Sequence, residues 1–395
     1  MIKTQHVRLS LTESQVQQLK EAQMECARCW NEVVKIANEY YQKERKWISK
    51  YEIQPLIAGK FNLQRHNLNA ITDKYTANRK TISELRKQGD KKARYPYKEK
   101  KFFCIPFKKS AILNENGYLK LTIAKGNQIT LSVPYDETIK SCEIIWREGY
   151  VLSYQKEYSQ KESSVVRDGV VGVDLGEIHA IAACTEFGEG LIISHRHGRS
   201  LKQKRNKVIA YVNKRLSRCQ KGSRMYKRLL KLKQQIKLKT KRQLRDLYHQ
   251  ITAQFMKFCD EKAICEIILG DIKNIEKNTK KKKKLNRINR QKMSQMEFGT
   301  LKDYIQYKAK ERGIVVQLVN ESYTSQTCPQ CGKRHKPTNR NFECSCGYQA
   351  HRDLVGAWNI LNKKYSFELK EFVIQTKQPL KLKPKKYRPS EVVVA

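Results

Sequence analysis

Two close cysteine pairs, Cys328/Cys331 and Cys344/Cys346, flank a short polar loop and could do the most distinctive chemistry in this sequence. Four thiolates at that spacing can close on one tetrahedral ion, and a soft set with no open position selects Zn2+ in a structural role. Glycine follows each pair (Gly332, Gly347), and the loop is too polar to pack without a metal. The second pair has one residue between its cysteines where two are commoner, so a buried thiol cluster or a disulfide is the competing reading. Directly after the second pair come Arg352 and Asp353, at the head of an apolar-periodic helix. A second aspartate, Asp174, ends the buried run V-V-G-V-D. Two or three carboxylates gathered in one place would hold a pair of divalent cations roughly 4 Å apart, the arrangement that hydrolyses phosphodiesters. Mg2+ suits such hard oxygen ligands.

Such acids need a scaffold, and the sequence supplies one. A strand ending at Asp174 turns at Leu175-Gly176 and runs back as Ile178–Cys184, and Gly190–Ser194 completes a meander. About sixty residues of basic helix follow, Lys202–Lys262. Then come a strand (Ile264–Leu269), a helix (about Met293–Arg312, ended by Gly313), a strand (Ile314–Val319) and the final helix. That order is the order of an RNase H-like α/β domain with a zinc ribbon inserted before its last helix. Acids could meet Asp174 at the ends of the fourth and fifth strands and at the start of the last helix.

Upstream, residues 1–10 read as a strand, and Thr12 with Gln15 forms a capping box. Helical texture continues to a break at Gln88-Gly89-Asp90. From about Phe102 the period changes to two, with hairpins turning at Gly126-Asn127 and Glu148-Gly149, which predicts a small antiparallel barrel. The polar segment Ser159–Ser164 marks the boundary. Cys26 and Cys29 read as helix-face packing, and His179, His195, His197, His335 and His351 as surface or satisfied residues. Residues 363–395 read as a loosely ordered basic tail.

Lys+Arg is 81 against 38 Asp+Glu in 395 residues, a formal charge of +43. A field of that size needs a polyanionic partner, and nucleic acid is the first candidate. Lys280, Lys281, Lys282, Lys283 and Lys284 form a phosphate-seeking run in a polar loop. No apolar run approaches bilayer thickness, so no membrane partner is expected. Twelve cysteines without a secretory leader point to a reducing, cytoplasmic setting.

Three motifs now stand in order: Gly172-Val173-Asp174-Leu175-Gly176, Tyr323-Thr324-Ser325-x-x-Cys328-x-x-Cys331-Gly332, and Arg352-Asp353-x-x-Gly356-Ala357-x-Asn359-Ile360. Together they resemble the TnpB family, RNA-guided nucleases of transposons related to the compact type V CRISPR effectors. The likeness covers roughly residues 170–362. The resemblance implies a multidomain α/β protein with a RuvC-like nuclease domain over 166–323, a zinc ribbon over 324–350 and the last helix over 351–365. Ahead of these it implies a first wedge strand (1–10), a helical recognition region (11–98) and a wedge β-barrel (99–165), with a basic tail over 366–395.

One departure matters. The family usually has a glutamate at the end of the fourth strand, where this chain reads Leu269-Gly270-Asp271. Three readings follow: a domain that has lost catalysis, Asp271 as the substitute, or an acid relocated to Glu321. Side chains alternate across a strand, which aims Asp271 at the other face unless the strand has already ended. The fifth strand should lie about 4.8 Å from the fourth, so Glu321 can reach over Gly270, which has no Cβ in the way; geometry favours Glu321.

The resemblance then implies an RNA-guided, Mg2+-dependent DNA endonuclease with Asp174, Glu321 and Asp353 as ligands of two Mg2+ and the four cysteines on one Zn2+. Arg352 would contact the scissile phosphate or pair with an acid. The implied partners are a guide RNA from the transposon end and double-stranded DNA beside a short flanking motif. A monomeric ribonucleoprotein in a prokaryotic cytoplasm, on the nucleoid when engaged, completes the expectation. In such systems base pairing reads the target while the protein holds the heteroduplex by its backbone. Two alternatives are a nuclease-dead guided binder acting as a repressor and an unguided DNA-binding transposase-accessory protein.

Overall fold

The computed structural model describes residues 2–90, 92–157, 166–272, 286–337, 339–368 and 372–377. The chain divides into two compact units after residue 160.

In the first unit, β1 (Ile2–Arg8) leads into α1 (Glu13–Glu44) through the capping box, in which Thr12 and Gln15 exchange side-chain and backbone hydrogen bonds. Leu19, Cys26, Trp30, Val33 and Ala37 recur at helical spacing and are buried; Cys29 is buried with them. Two more helices follow, α2 (Lys50–Ile57) and α3 (Arg65–Lys87). Next come β2 (Ile105–Lys108), β3 (Ile112–Glu115), β4 (Tyr118–Ala124), β5 (Asn127–Pro134), β6 (Ile139–Trp146) and β7 (Tyr150–Glu157). Where the sequence predicts one barrel, the hydrogen bonding divides into a four-stranded sheet, β1-β7-β6-β2, and a three-stranded sheet, β3-β4-β5. Both sheets share one core with the helices.

The second unit opens with the expected meander, β8 (Gly169–Asp174), β9 (His179–Thr185) and β10 (Glu189–Ser194). The single basic helix expected next is two, α4 (Arg196–Leu216) and α5 (Arg224–Glu261), broken around Gly222, whose φ of 85° lies in the left-handed region. The strand β11 (Ile264–Gly270) follows. A short helix that the sequence does not predict, α6 (Arg287–Ser294), precedes the helix expected at 293–312, which is α7 (Phe298–Lys310), ahead of β12 (Val315–Val319). The ribbon carries β13 (Asn341–Glu343) and β14 (Gln349–His351), and α8 (Arg352–Leu361) starts at once. The tail read as loosely ordered contains a further strand, β15 (Val373–Lys377), which pairs parallel with β10. The main sheet therefore runs β12-β11-β8-β9-β10-β15.

Strand periodicity sorts the two faces of this sheet. Val171 and Val173 pack with α5 and α7 in the large core, while Val170 and Ile268 pack with Ile360 and Leu361 of α8. The contact with α8 is backbone-close: a Cβ at Gly172 would stand 2.2 Å from the Ala357 carbonyl. Among the described residues no helix is long and apolar enough to cross a membrane.

Candidate active site

Asp174, on the α8 face at the end of β8, lies against the helix: a Cβ at Gly356 would come 3.1 Å from its Oδ2. On one side β8 is paired with β11, parallel, and β11 with β12, also parallel, so three strand ends point the same way. Beyond β12 the chain turns back, with Tyr323 in the left-handed region (φ 65°). That turn lays Glu321 over Gly270, where a Cβ would stand 2.9 Å from Glu321 Oε2 and 3.4 Å from its Cβ. Glu321 Oε2 is buried and accepts no hydrogen bond among the described residues. The neighbouring Asp271 follows the strand alternation away from α8 and pairs with Lys302 of α7 at 3.1 Å.

The electrostatics tie the three acids together. Burial first, then the charges of Asp353 and Glu321, push the Asp174 carboxyl up to about 7, against the opposing pull of Arg352. Burial and the nearby Asp271 also raise Glu321. Asp353 behaves oppositely: burial would raise it, but the hydrogen bond from His179 and the charge of Arg340 outweigh that and hold it below the usual range. His179 Nδ1 lies 2.7 Å from Asp353 Oδ2, and Arg340 Nη1 is 3.0 Å from both carboxylate oxygens. Arg352 stands at the first position of α8 and acts on Asp174 through its charge.

The loop carrying Glu321 is anchored from α8. Thr324 donates its backbone N–H and hydroxyl to the Glu321 carbonyl, at 3.2 and 2.8 Å. Asn359 Nδ2 then donates to the carbonyls of Thr324 (2.7 Å) and Thr327 (2.8 Å). Asp353 and Asn359 sit on one helix, so a single rigid element fixes both an acid and the loop bearing another.

In the ribbon, the ligand atoms of Cys328, Cys331, Cys344 and Cys346 all lie within 4.8 Å of one another. The Cys328 sulfur is 3.7 Å from that of Cys346, and Cys331 is 3.5 Å from Cys344. The Gly332 and Gly347 amides close the two knuckle turns onto the carbonyls of Cys328 and Cys344. The Cys346 amide, more than any other group, holds the Cys344 thiol down to about 6, while burial pushes Cys328 up to about 12. Four convergent sulfurs fit a closed zinc site.

Sequence reasoning did not identify Arg340 or the anchoring role of Asn359, and it set His179 and His351 aside. The one legible signal was His179, which opens the strand returning from Asp174. Buried His195 and the ring of His335, tilted against Phe342, are structural. Lys280 to Lys284 lie outside the described residues. Among those described, the exposed basic surface includes the first half of α5, with Arg224, Lys227, Arg228, Lys231, Lys237 and Lys239.

The chain is similar to several known proteins. Residues 153–276 match the family described as "Probable transposase", and residues 298–360 match "Cas12f1-like, TNB domain". TnpB-like protein MJ0751 of Methanocaldococcus jannaschii is 35% identical over 31% of this chain, a segment spanning 44% of that protein. The putative RNA-guided DNA endonuclease InsQ of Escherichia coli is 25% identical over 86% of this chain and 82% of its own length. The fold is similar to that in a Cas12f1-sgRNA-target DNA complex, with TM-score 0.66, 14% identity and coverage of 90% and 84%. It is also similar to the mini-RNA-guided endonuclease CRISPR-Cas phi3, with TM-score 0.58, 10% identity and 94% of each chain covered. Together these matches, with the strand-end aspartate, the ribbon and the final helix in this order, support a TnpB-family protein.

Proposed function

We propose that this chain is the protein half of an RNA-guided, Mg2+-dependent DNA endonuclease with one RuvC-like site, in which Glu321 replaces the glutamate missing at Gly270. One observation carries the reading: a buried Glu321 oxygen without a hydrogen bond among the described residues, lying over Gly270 with its charge acting on Asp174. A buried, orphaned carboxylate oxygen among further carboxylates is the donor set a hard divalent ion takes. Asp174, Glu321 and Asp353 would hold such ions, which when bound polarise phosphate and lower the pKa of water.

The chain's own residues prepare this site. Asp174 is poised to give up its proton near neutrality, and Asp353 is kept as a carboxylate by His179 and Arg340. Arg352 brings positive charge beside Asp174, where a phosphodiester would lie. Asn359 holds the Glu321 loop, and the zinc-loaded ribbon holds that loop from its other end. In this reading residues 11–98 and 99–165 serve as recognition and wedge regions, with guide RNA and target DNA as partners. The basic half of α5 supplies phosphate contacts.

The test is a ribonucleoprotein purified from cells, its RNA sequenced, and its cutting of matched DNA measured with Mg2+ and with EDTA. A defined RNA and EDTA-sensitive cutting are expected. Glu321→Ala should lower cutting by more than the roughly 100-fold typical of supporting groups around a metal, with target binding retained. Wild-type ribonucleoprotein that binds matched DNA but never nicks it would make the protein a guided binder instead.

A further inference from the structure

Beside the all-oxygen set lies a second, mixed one. His179 at the start of β9, His351 at the end of β14 and Asp353 in α8 offer three ligand atoms within 4.8 Å of one another. The two rings are 5.3 Å apart, and His179 Nδ1 already contacts Asp353 at 2.7 Å. His179 and Asp353 side chains are each 13% exposed, so water competes poorly for these donors. Two imidazoles and a carboxylate with positions left open suit borderline ions such as Zn2+ or Co2+, whereas Mg2+ prefers oxygen alone.

We propose that His179, His351 and Asp353 form a transition-ion site whose occupation withdraws Asp353 from the hard-ion set and so blocks cutting. The inhibitory part rests on the nuclease reading; the binding part does not. Asp353 is the pivot: its charge acts on Asp174, and its Oδ2 contacts the His179 ring. Arg340 now neutralises it at 3.0 Å, and this guanidinium, with its side chain 46% exposed, is the cation a dication must displace. The site differs from the ribbon in chemistry, having no sulfur.

Co2+ titrated into the full-length, zinc-loaded protein tests this, because cobalt on nitrogen and oxygen gives ligand-field bands without the thiolate charge-transfer band of ribbon exchange. One further equivalent of that kind is expected, weakened roughly tenfold or more in His179→Asn and in His351→Asn. Arg340→Gln should bind Co2+ several-fold more tightly, a gain that misfolding cannot mimic. In the cutting assay at fixed Mg2+, Zn2+ should inhibit wild type at concentrations the histidine variants tolerate. Absence of a sulfur-free cobalt band, or equal affinity in wild type and both histidine variants, overturns the proposal. Cobalt binding in a protein that never cuts would leave the site standing and remove the nuclease reading; cutting with no such band would do the reverse.

Discussion

A methyl group at Gly270 would press on Glu321 Oε2 at 2.9 Å and on Ile360 Cδ1 at 3.0 Å. Glu321 is met twice, at Oε2 and at its Cβ (3.4 Å), and Ile360 behind is fully buried, so the carboxylate is pushed from its place. Gly270→Ala is therefore expected to slow single-turnover cutting about 10- to 100-fold, the scale for disturbing a ligand's support. A wild-type rate would mean that Glu321 does not act from this position. The converse swap is more telling: Gly270→Glu combined with Glu321→Ala returns the acid to the strand and should recover part of the rate lost by Glu321→Ala alone. At this scale, sequence alone brought out the two aspartates, because each sits in a motif with its own glycine. Strand alternation also gave the direction of Asp271 correctly. His179 and Arg340 were hidden because their common partner, Asp353, lies 174 and 13 residues away, and neither spacing is a local signal.

Among the elements, α8 does two jobs through two side chains about one and two-thirds turns apart. Asn359→Leu removes two donors from the carbonyls of Thr324 and Thr327, leaving both acceptors short of partners. Cutting should fall roughly 10- to 100-fold, with a higher Mg2+ requirement and zinc content unchanged. Loss of zinc along with activity would point instead to collapse of the ribbon. The start of α4 gives a pH dependence. Burial, then the charge of Lys202, lowers His195 to about 4, and its Nε2 is buried without a hydrogen bond among the described residues. The unfolded ring binds its proton near pH 6.5, so between about 6.5 and 4 the unfolded chain holds more protons and stability falls as the pH falls. The loss is at most about 3 kcal/mol. Thermal midpoints measured across this window should drop more for wild type than for His195→Phe. Most elements were legible from their periods. The break between α4 and α5 is hard to see because only a short polar stretch, Ser217–Ser223, marks it.

For the whole molecule, the excess of positive charge sets how it meets its partners. With +43 on 395 residues, much of the affinity for nucleic acid should come from released counterions. The logarithm of the target-binding constant of the ribonucleoprotein should fall against the logarithm of salt concentration with a slope of about −5 or steeper. A shallow slope would place recognition in contacts other than phosphate. Charge was visible in composition, but the same excess of lysine concealed the last strand. The five residues V-I-Q-T-K are mostly exposed and sit in a basic stretch that no alternation sets apart. They nevertheless run beside β10 from Glu189↔Val373 to Ile193↔Lys377, and Phe372 brings its ring to 6.1 Å from Trp358. Anyone shortening this protein for delivery, or fusing cargo to it, thus meets a floor at Lys377 rather than at the end of α8. Cutting closer would strip a neighbour from β10 and take the Phe372 ring from the tryptophan of α8.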